Sequence, residues 1–330
     1  MADIEFRARS FDNGDALLPD QLINYYKQML NYVVEQLSGE LILDDLISIV
    51  IPENYKQELF EFQKQNNIPV GYTEDDMAIG HAMALTVKRN NESKKIIFVS
   101  KLIIFALVDE NVLNELAEDI QKQIVGQRQF AINLIHHELA HVQEFTLLKG
   151  NFSMGKIDNT DILTKNLRQL SRTVWTEYYA CRVSCMTCPN IVGDIDNLVE
   201  QTKEFEEQIV DEIGKYRYHG DINKIVKILH GKLKILLNYS AYLHGKLFSL
   251  EESRADYISK INDLLSDFFI HDTWVNIGDK LNNLYTTFPD WCDSSVFDEL
   301  GQSITLLINR LGFYPEMRDE GVYYSIPFET

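Results

Sequence analysis

The sequence predicts an α+β protein that is predominantly helical. Apolar residues recur with a period near 3.6 residues over most of the chain, which is the pattern of amphipathic helices. Two extended runs, 77–88 and 95–100, flank a polar turn and predict a β-hairpin. The 330 residues are 45% hydrophobic and 25% charged, as in ordinary globular proteins. We therefore expect a small sheet or hairpin, an adjoining set of helices, and a large helical C-terminal part.

Residues 1–76 form the first of three predicted regions, an N-terminal helical segment. Much of 18–64 is read as helical because its apolar residues fit a 3.6-residue period. These positions are Leu22, Tyr25, Tyr26, Leu30, Val33 and Leu37. A second helix is predicted from Asn54 to Gln65.

Residues 77–190 form the second region, in which the hairpin precedes three helices. The extended run Met77–Lys88 leads into the polar turn Arg89–Ser93, and a strand returns from Lys95 to Ser100. The first predicted helix is Asn111–Gln123, with Asn111 as N-cap and a break near Gly126. The second is Arg128–Lys149, with Gly150 as C-cap. The third is Asp161–Cys185, which ends before Cys188-Pro189-Asn190.

Residues 191–330 form the third region, which is helical and expected to pack on the second. Helices are predicted over about 194–214, 222–249, 251–269 and 294–311, and the aromatic tail 312–330 is read as irregular. The segment His230-Gly231-Lys-Leu recurs at His244-Gly245-Lys-Leu. Either the glycines allow close helix packing, or one of these histidines faces a catalytic cleft.

The most informative segment is His137-Glu138-Leu139-Ala140-His141, which has the form H-E-x-x-H. On a helix, residues four apart share a face, so the two imidazoles can bind one metal ion. Glu138 lies beside that face, within reach of a metal-activated water. The apolar Leu139 and Ala140 suit a buried helix. His136 points away from His137 and is read as structural.

Catalytic zinc usually has three protein ligands, so one more is needed. Glu177 is the preferred candidate, because it lies on the next predicted helix with small residues at Ala180 and Cys181 beside it. Glu144 shares the face of His141. It is read either as hydrogen-bonded to a ligand histidine or as a surface residue, and less favourably as an alternative ligand.

This combination resembles the gluzincin group of zinc metallopeptidases, in which a helix with H-E-x-x-H is followed by a helix that donates a Glu. The resemblance covers about residues 77–185 and implies a zincin-like core, a β-hairpin or small sheet plus an active-site helix. It implies one Zn²⁺ per chain, bound by His137, His141 and Glu177, with Glu138 as general base. The spacer to Glu177 is longer than in thermolysin-like enzymes, and their N-E-x-x-S-D context is absent.

The resemblance also implies a second stabiliser of the oxyanion formed during hydrolysis. The leading candidates are His244, His230 and Tyr178. His219, Tyr179 and Arg182 are further candidates, and the sequence does not choose among the six. The strand Gly80–Thr86 is expected to be the edge strand that pairs with an extended substrate, with His81 near the cleft or facing solvent.

Composition restricts the partners and the compartment. The formal net charge is −19, which disfavours nucleic acid and anionic membranes as partners. The first residues contain no signal-peptide pattern, so the cytoplasm is the expected location. Cys181, Cys185 and Cys188 are read as buried thiols rather than a second metal site, since no fourth ligand is near.

A soluble zinc metallopeptidase acting on a peptide or protein is therefore the leading functional hypothesis. Two alternatives remain open. One is a non-peptidase amide hydrolase that uses the same metal site. The other is a zincin-shaped regulatory or binding protein, although the intact Glu138 favours catalysis.

Overall fold

The computed structural model describes residues 2–11, 17–71, 80–149, 160–187, 191–250, 254–319 and 321–327. These residues are mostly helical with a small mixed sheet, which confirms the predicted class at this level. The chain divides into two compact units. Unit 1 is 1–147 with 186–188, and unit 2 is 148–185 with 189–330.

Unit 1 contains a four-stranded sheet with the order β1-β2-β4-β3. Its strands are β1 (Asp3–Phe6), β2 (Leu46–Ile51), β3 (Ala82–Arg89) and β4 (Glu92–Val99). Strand β2 is parallel to both β1 and β4, while β3 is antiparallel to β4. The sheet is therefore mixed, and β3 forms one of its edges.

The predicted hairpin is confirmed as β3 and β4, although residues 77–79 of its first run lie outside the described residues. The turn is shorter than predicted because β4 already begins at Glu92. Asn90 and Asn91 have φ angles of 51° and 66°. Positive φ at both central residues is typical of a two-residue type I′ turn, which matches the twist of the paired strands.

The prediction of helix through much of 18–64 was wrong in its middle. Helix α1 (Asp20–Ser38) is followed by β2 and then by α2 (Tyr55–Gln65), which confirms the second predicted helix. Ile49, Val50 and Ile51 in β2 are at most 1% exposed. A short apolar strand buried on both faces has no alternation, so periodicity does not separate it from helix.

Three helices complete unit 1: α3 (Lys101–Phe105), α4 (Glu110–Asn114) and α5 (Glu118–Leu148). Asp109, not Asn111, caps α4, since its Oδ1 accepts hydrogen bonds from the backbone N–H groups of Asn111 (2.8 Å) and Val112 (3.0 Å). Helix α5 continues through Gly126 without the predicted break. The expected C-cap, Gly150, lies outside the described residues.

Unit 2 is a set of long helices with a terminal hairpin. Its helices are α6 (Ile162–Ser184), α7 (Val192–His219), α8 (Ile222–Ser249), α9 (Arg254–Leu265), α10 (His271–Thr287) and α11 (Asp298–Arg310). Most were predicted, but α10 was not. The tail is not irregular throughout, because β5 (Tyr314–Arg318) pairs with β6 (Gly321–Ser325). None of the described helices is both long and apolar enough to cross a bilayer.

Close packing of α8 against α6 depends on Gly245. A β-carbon there would lie 2.6 Å from the carbonyl oxygen of Tyr178. Gly231, the equivalent residue of the His-Gly repeat, has no atom within 4 Å of such a position. Only one glycine of the repeat therefore serves helix packing.

Candidate metal centre

A buried stripe fixes the rotation of α5, the helix that carries the H-E-x-x-H segment. Ala131, Ile135, Leu139 and Val142 are each at most 2% exposed. Their spacing of four, four and three residues places them along one face of the helix. His137 and His141 lie roughly on the opposite side, and both are half-buried. The apolar stripe holds the helix in the core while the imidazoles project away from it.

The two imidazoles approach each other through their Nε2 atoms. Their Nε2 atoms are 3.0 Å apart, and the ring planes are nearly perpendicular, at 86°. Two nitrogens bound to one tetrahedral zinc ion at about 2.05 Å would be about 3.3 Å apart. A small rotation of either side chain therefore suffices for both to bind one ion.

Glu177 contributes a carboxylate to the same group. It lies in α6, whose N-terminus is capped by Asp161 through a hydrogen bond from the Thr164 N–H at 2.9 Å. One ligand atom from each of His137, His141 and Glu177 lies within 4.8 Å of the other two. Two imidazoles and a carboxylate are a donor set of catalytic zinc sites. In the part of the chain that the structure describes, no other group of three His, Cys, Asp or Glu residues meets this distance.

Two further carboxylates of α5 are buried close to these histidines in sequence. Glu138, the proposed base, is 6% exposed and lies between His141 and the buried stripe around the helix. Glu144 is 2% exposed, so its interpretation as a surface residue was wrong. Because burial of a carboxylate is costly unless it is compensated, a positioning role for Glu144 remains an attractive prediction.

His136 has the structural environment that was predicted for it. Its ring is buried, and Nδ1 lies 3.3 Å from the hydroxyl of Thr187, which also accepts a hydrogen bond from Asn133. Burial, with a smaller effect of His137, lowers the pKa of His136 to about 4. The ring is therefore neutral at physiological pH.

The histidines considered as oxyanion stabilisers have other contacts. His244 is 2% exposed, donates from Nε2–H to the Trp274 carbonyl at 3.0 Å, and stacks on the Trp274 ring. Burial lowers its pKa to about 3. His230 is exposed, and its Nε2 lies 2.7 Å from the Tyr324 hydroxyl. The exposed His219 accepts a hydrogen bond from the Asp221 N–H. These contacts favour structural roles for all three, and substrate cannot reach the buried ring of His244 in this structure.

Tyr178, Tyr179 and Arg182 lie on α6 with Glu177. Tyr178 is fully buried and Tyr179 nearly so. The Tyr178 hydroxyl accepts a hydrogen bond from Arg182, and burial raises the pKa of Tyr178 to about 12. The structure therefore does not single out an oxyanion stabiliser among these residues.

Two other predictions concern His81 and the cysteines. His81 is half-buried just before β3, and burial lowers its pKa. Cys181 and Cys185 are buried, as predicted for structural thiols, and the Cys185 thiol donates to the Lys246 carbonyl at 3.7 Å. Cys188 lies outside the described residues.

Sequence reasoning missed Arg254, which lies with Arg182 against the ring of Phe248. No motif or spacing marks this pair, because the two residues come from separate helices.

Comparison with other proteins adds no precedent for this arrangement. No protein-family model matches the chain, and neither a characterised protein nor a solved structure is detectably similar to it. What the centre can do must therefore be inferred from its own side chains.

Proposed function

We propose that the protein is a zinc-dependent metallopeptidase of the gluzincin type. The observation that carries the proposal is the convergence of His137, His141 and Glu177, whose ligand atoms lie within 4.8 Å of one another. The sequence pattern by itself already indicates Glu177 as the third ligand. Its proximity to the two histidines supports a common role.

The donor set fits zinc better than a harder ion. Imidazole nitrogen suits Zn²⁺, whereas Mg²⁺ and Ca²⁺ prefer oxygen ligands almost exclusively. Zinc bound by these three side chains would supply Lewis acidity and lower the pKa of a water in the remaining position.

Glu138 is the residue proposed to move the proton. Its carboxylate accepts the proton of the attacking water and delivers it to the amine that leaves. A carboxylate that is 6% exposed is shielded from bulk solvent, so the transferred proton is retained for the second step. A purely structural zinc site has no need of such a base.

The edge strand β3 supports a peptide as substrate. Because β3 is the last of the described strands in the sheet order, one side of its backbone pairs with no described strand. An extended peptide can add to such an edge through backbone hydrogen bonds. This mode of binding requires a polypeptide and would not select a small amide.

Metal quantification with a matched set of variants tests the centre. Wild-type protein should bind about one equivalent of zinc. His137→Ala and Glu177→Ala should weaken zinc binding by at least about a hundredfold, while Glu207→Ala, at an exposed helical position, should not. Absence of zinc binding by the wild type, or equal binding by Glu177→Ala and Glu207→Ala, would refute the ligand assignment.

Hydrolysis of a quenched fluorescent peptide library tests the reaction. Glu138→Gln should retain zinc but lose at least about a hundredfold in rate, whereas Glu118→Gln, at the exposed start of the same helix, should match the wild type. Cleavage of small amides without peptides would favour an amide hydrolase. Zinc binding with no hydrolysis of either would favour a regulatory protein.

A further inference from the structure

Two arginines of unit 2 lie against one aromatic ring. The Cζ atoms of Arg182 in α6 and Arg254 at the start of α9 are 5.3 Å and 3.3 Å from the centroid of Phe248. The two guanidinium carbons can therefore be no further apart than the sum of these distances. Arg182 also stacks on Tyr285, with its Cζ 3.8 Å from the ring centroid.

Neither arginine of this pair forms an ion pair with a described carboxylate. Arg182 donates hydrogen bonds to two neutral acceptors, the Tyr178 hydroxyl and the Asn282 side-chain oxygen. The Nε of Arg254 is buried and has no hydrogen-bond partner among the described residues. By contrast, Arg168 in the same unit forms a two-point ion pair with Asp298.

The environment of Arg254 is unfavourable to its charge. Burial has the largest effect and lowers the pKa of Arg254. Asp279 and then Tyr178 oppose it, and the nearby Arg182 has the smallest effect, which again lowers this pKa. Asp279 acts on Arg254 from beyond ion-pair distance. An anion placed against both guanidinium groups would relieve the repulsion between them.

We propose that Arg182 and Arg254 form an oxyanion-binding site that takes a carboxylate or phosphate group of a small ligand. The planar fork of a guanidinium matches both groups in a two-point hydrogen bond. Stacking on Phe248 and Tyr285 restricts the orientation of the two forks before the anion arrives. The site is built from residues of unit 2 alone and does not depend on the proposed metal centre.

Calorimetric titration with inorganic phosphate and with acetate, at constant ionic strength set by chloride, tests the proposal. The wild type should bind at least one of these anions, and Arg254→Gln should bind it at least tenfold more weakly. Arg318→Gln is the matched control, because Arg318 also stacks on an aromatic ring, Tyr323, but is paired with Glu316. The control should bind as the wild type does.

The anion that binds identifies the ligand class. Binding of phosphate alone assigns a phosphate ligand, and binding of acetate alone assigns a carboxylate ligand. His137→Ala should bind the anion unchanged, which separates this site from the metal centre. Binding of neither anion, or equal affinity in Arg254→Gln and wild type, would overturn the proposal.

Chemical labelling gives a second measurement that needs no substitution. Phenylglyoxal modifies accessible guanidinium groups, and peptide mapping locates each modified arginine. The anion that binds should slow modification of Arg182 and Arg254 but not of Arg318. Equal protection of all three arginines would also contradict the proposed site.

Discussion

Replacing Gly245 with alanine should destabilise unit 2, because α8 approaches α6 too closely there to accommodate a β-carbon. The added carbon would lie 2.6 Å from the Tyr178 carbonyl oxygen and 2.9 Å from the Arg182 backbone nitrogen. Both are backbone atoms, so no side-chain rotation relieves the overlap and the helices must separate. Overpacking of this kind costs about 1–3 kcal/mol or more, and the higher helix propensity of alanine recovers about 0.8–1 kcal/mol. We expect a net loss of about 2 kcal/mol in the free energy of unfolding.

Gly231→Ala is the matched control, because it lies in the same helix within the same His-Gly-Lys-Leu sequence. It is exposed and has no atom within 4 Å of its added carbon, so it should gain about 0.8 kcal/mol from helix propensity alone. Urea unfolding followed by circular dichroism should therefore separate the two variants by roughly 3 kcal/mol. In thermal unfolding, this difference corresponds to about 6–12 °C. Equal stability of the two variants would refute the inferred contact between α6 and α8.

Two further predictions concern ion pairs. Burial alone would raise the pKa of Glu53, but hydrogen bonds from Lys101 and Ser10 hold it at about 2. Since the folded pKa lies below the ordinary value of 4.5 for a glutamate, this carboxylate stabilises the fold above pH 4.5 and the effect is lost as pH falls toward 2. The side chain is 38% exposed, so the effect should not exceed about 2 kcal/mol. Glu53→Gln should therefore reduce the change in the free energy of unfolding, measured by urea unfolding, between pH 4.5 and pH 2. Asp298→Asn should cost about 2–3 kcal/mol because it removes the carboxylate that forms the two-point ion pair with the 9%-exposed Arg168, whereas Asp290→Asn, at an exposed position, should match the wild type in urea unfolding.

The elements that sequence predicted well are those with a strong local signal. Helix α2 begins after Asn54, whose side chain accepts a hydrogen bond from the Gln57 N–H, and α6 begins after Asp161 in the same way. The hairpin was recognisable because two extended runs flank a polar turn that contains Asn90-Asn91, and asparagine tolerates positive φ. Each of these signals is complete within a few residues.

The elements that sequence missed depend on distant partners. Strand β1 is only four residues long and exists because it pairs with β2, more than forty positions later. Strand β2 lacks alternation because it is covered on both faces. The terminal hairpin carries Pro315 and several exposed residues, so its pattern does not resemble that of a half-buried strand.

The candidate centre depends on a local signal for its two histidines and on a distant partner for Glu177. Helix α5 brings His137 and His141 together by its own geometry, so the motif alone predicted that the two imidazoles converge. Glu177 required a tertiary contact, and it was anticipated only because a helix rich in aromatic and small residues would otherwise carry an isolated carboxylate. The burial of Glu144 was not predictable, since its position on the histidine face is equally compatible with solvent exposure.

The distribution of acidic residues leads to a last prediction about the proposed metal centre. The chain carries 50 acidic residues against 31 basic ones, and acidic side chains elsewhere are mostly at the surface. Yet Glu138 and Glu144 are buried on the helix that bears the two histidines, and Glu177 is half-buried beside them. Removing carboxylates from water costs free energy. A divalent ion bound by His137, His141 and Glu177 would offset this cost at the place where it arises, so zinc should raise the thermal stability of the wild type more than that of Glu177→Ala.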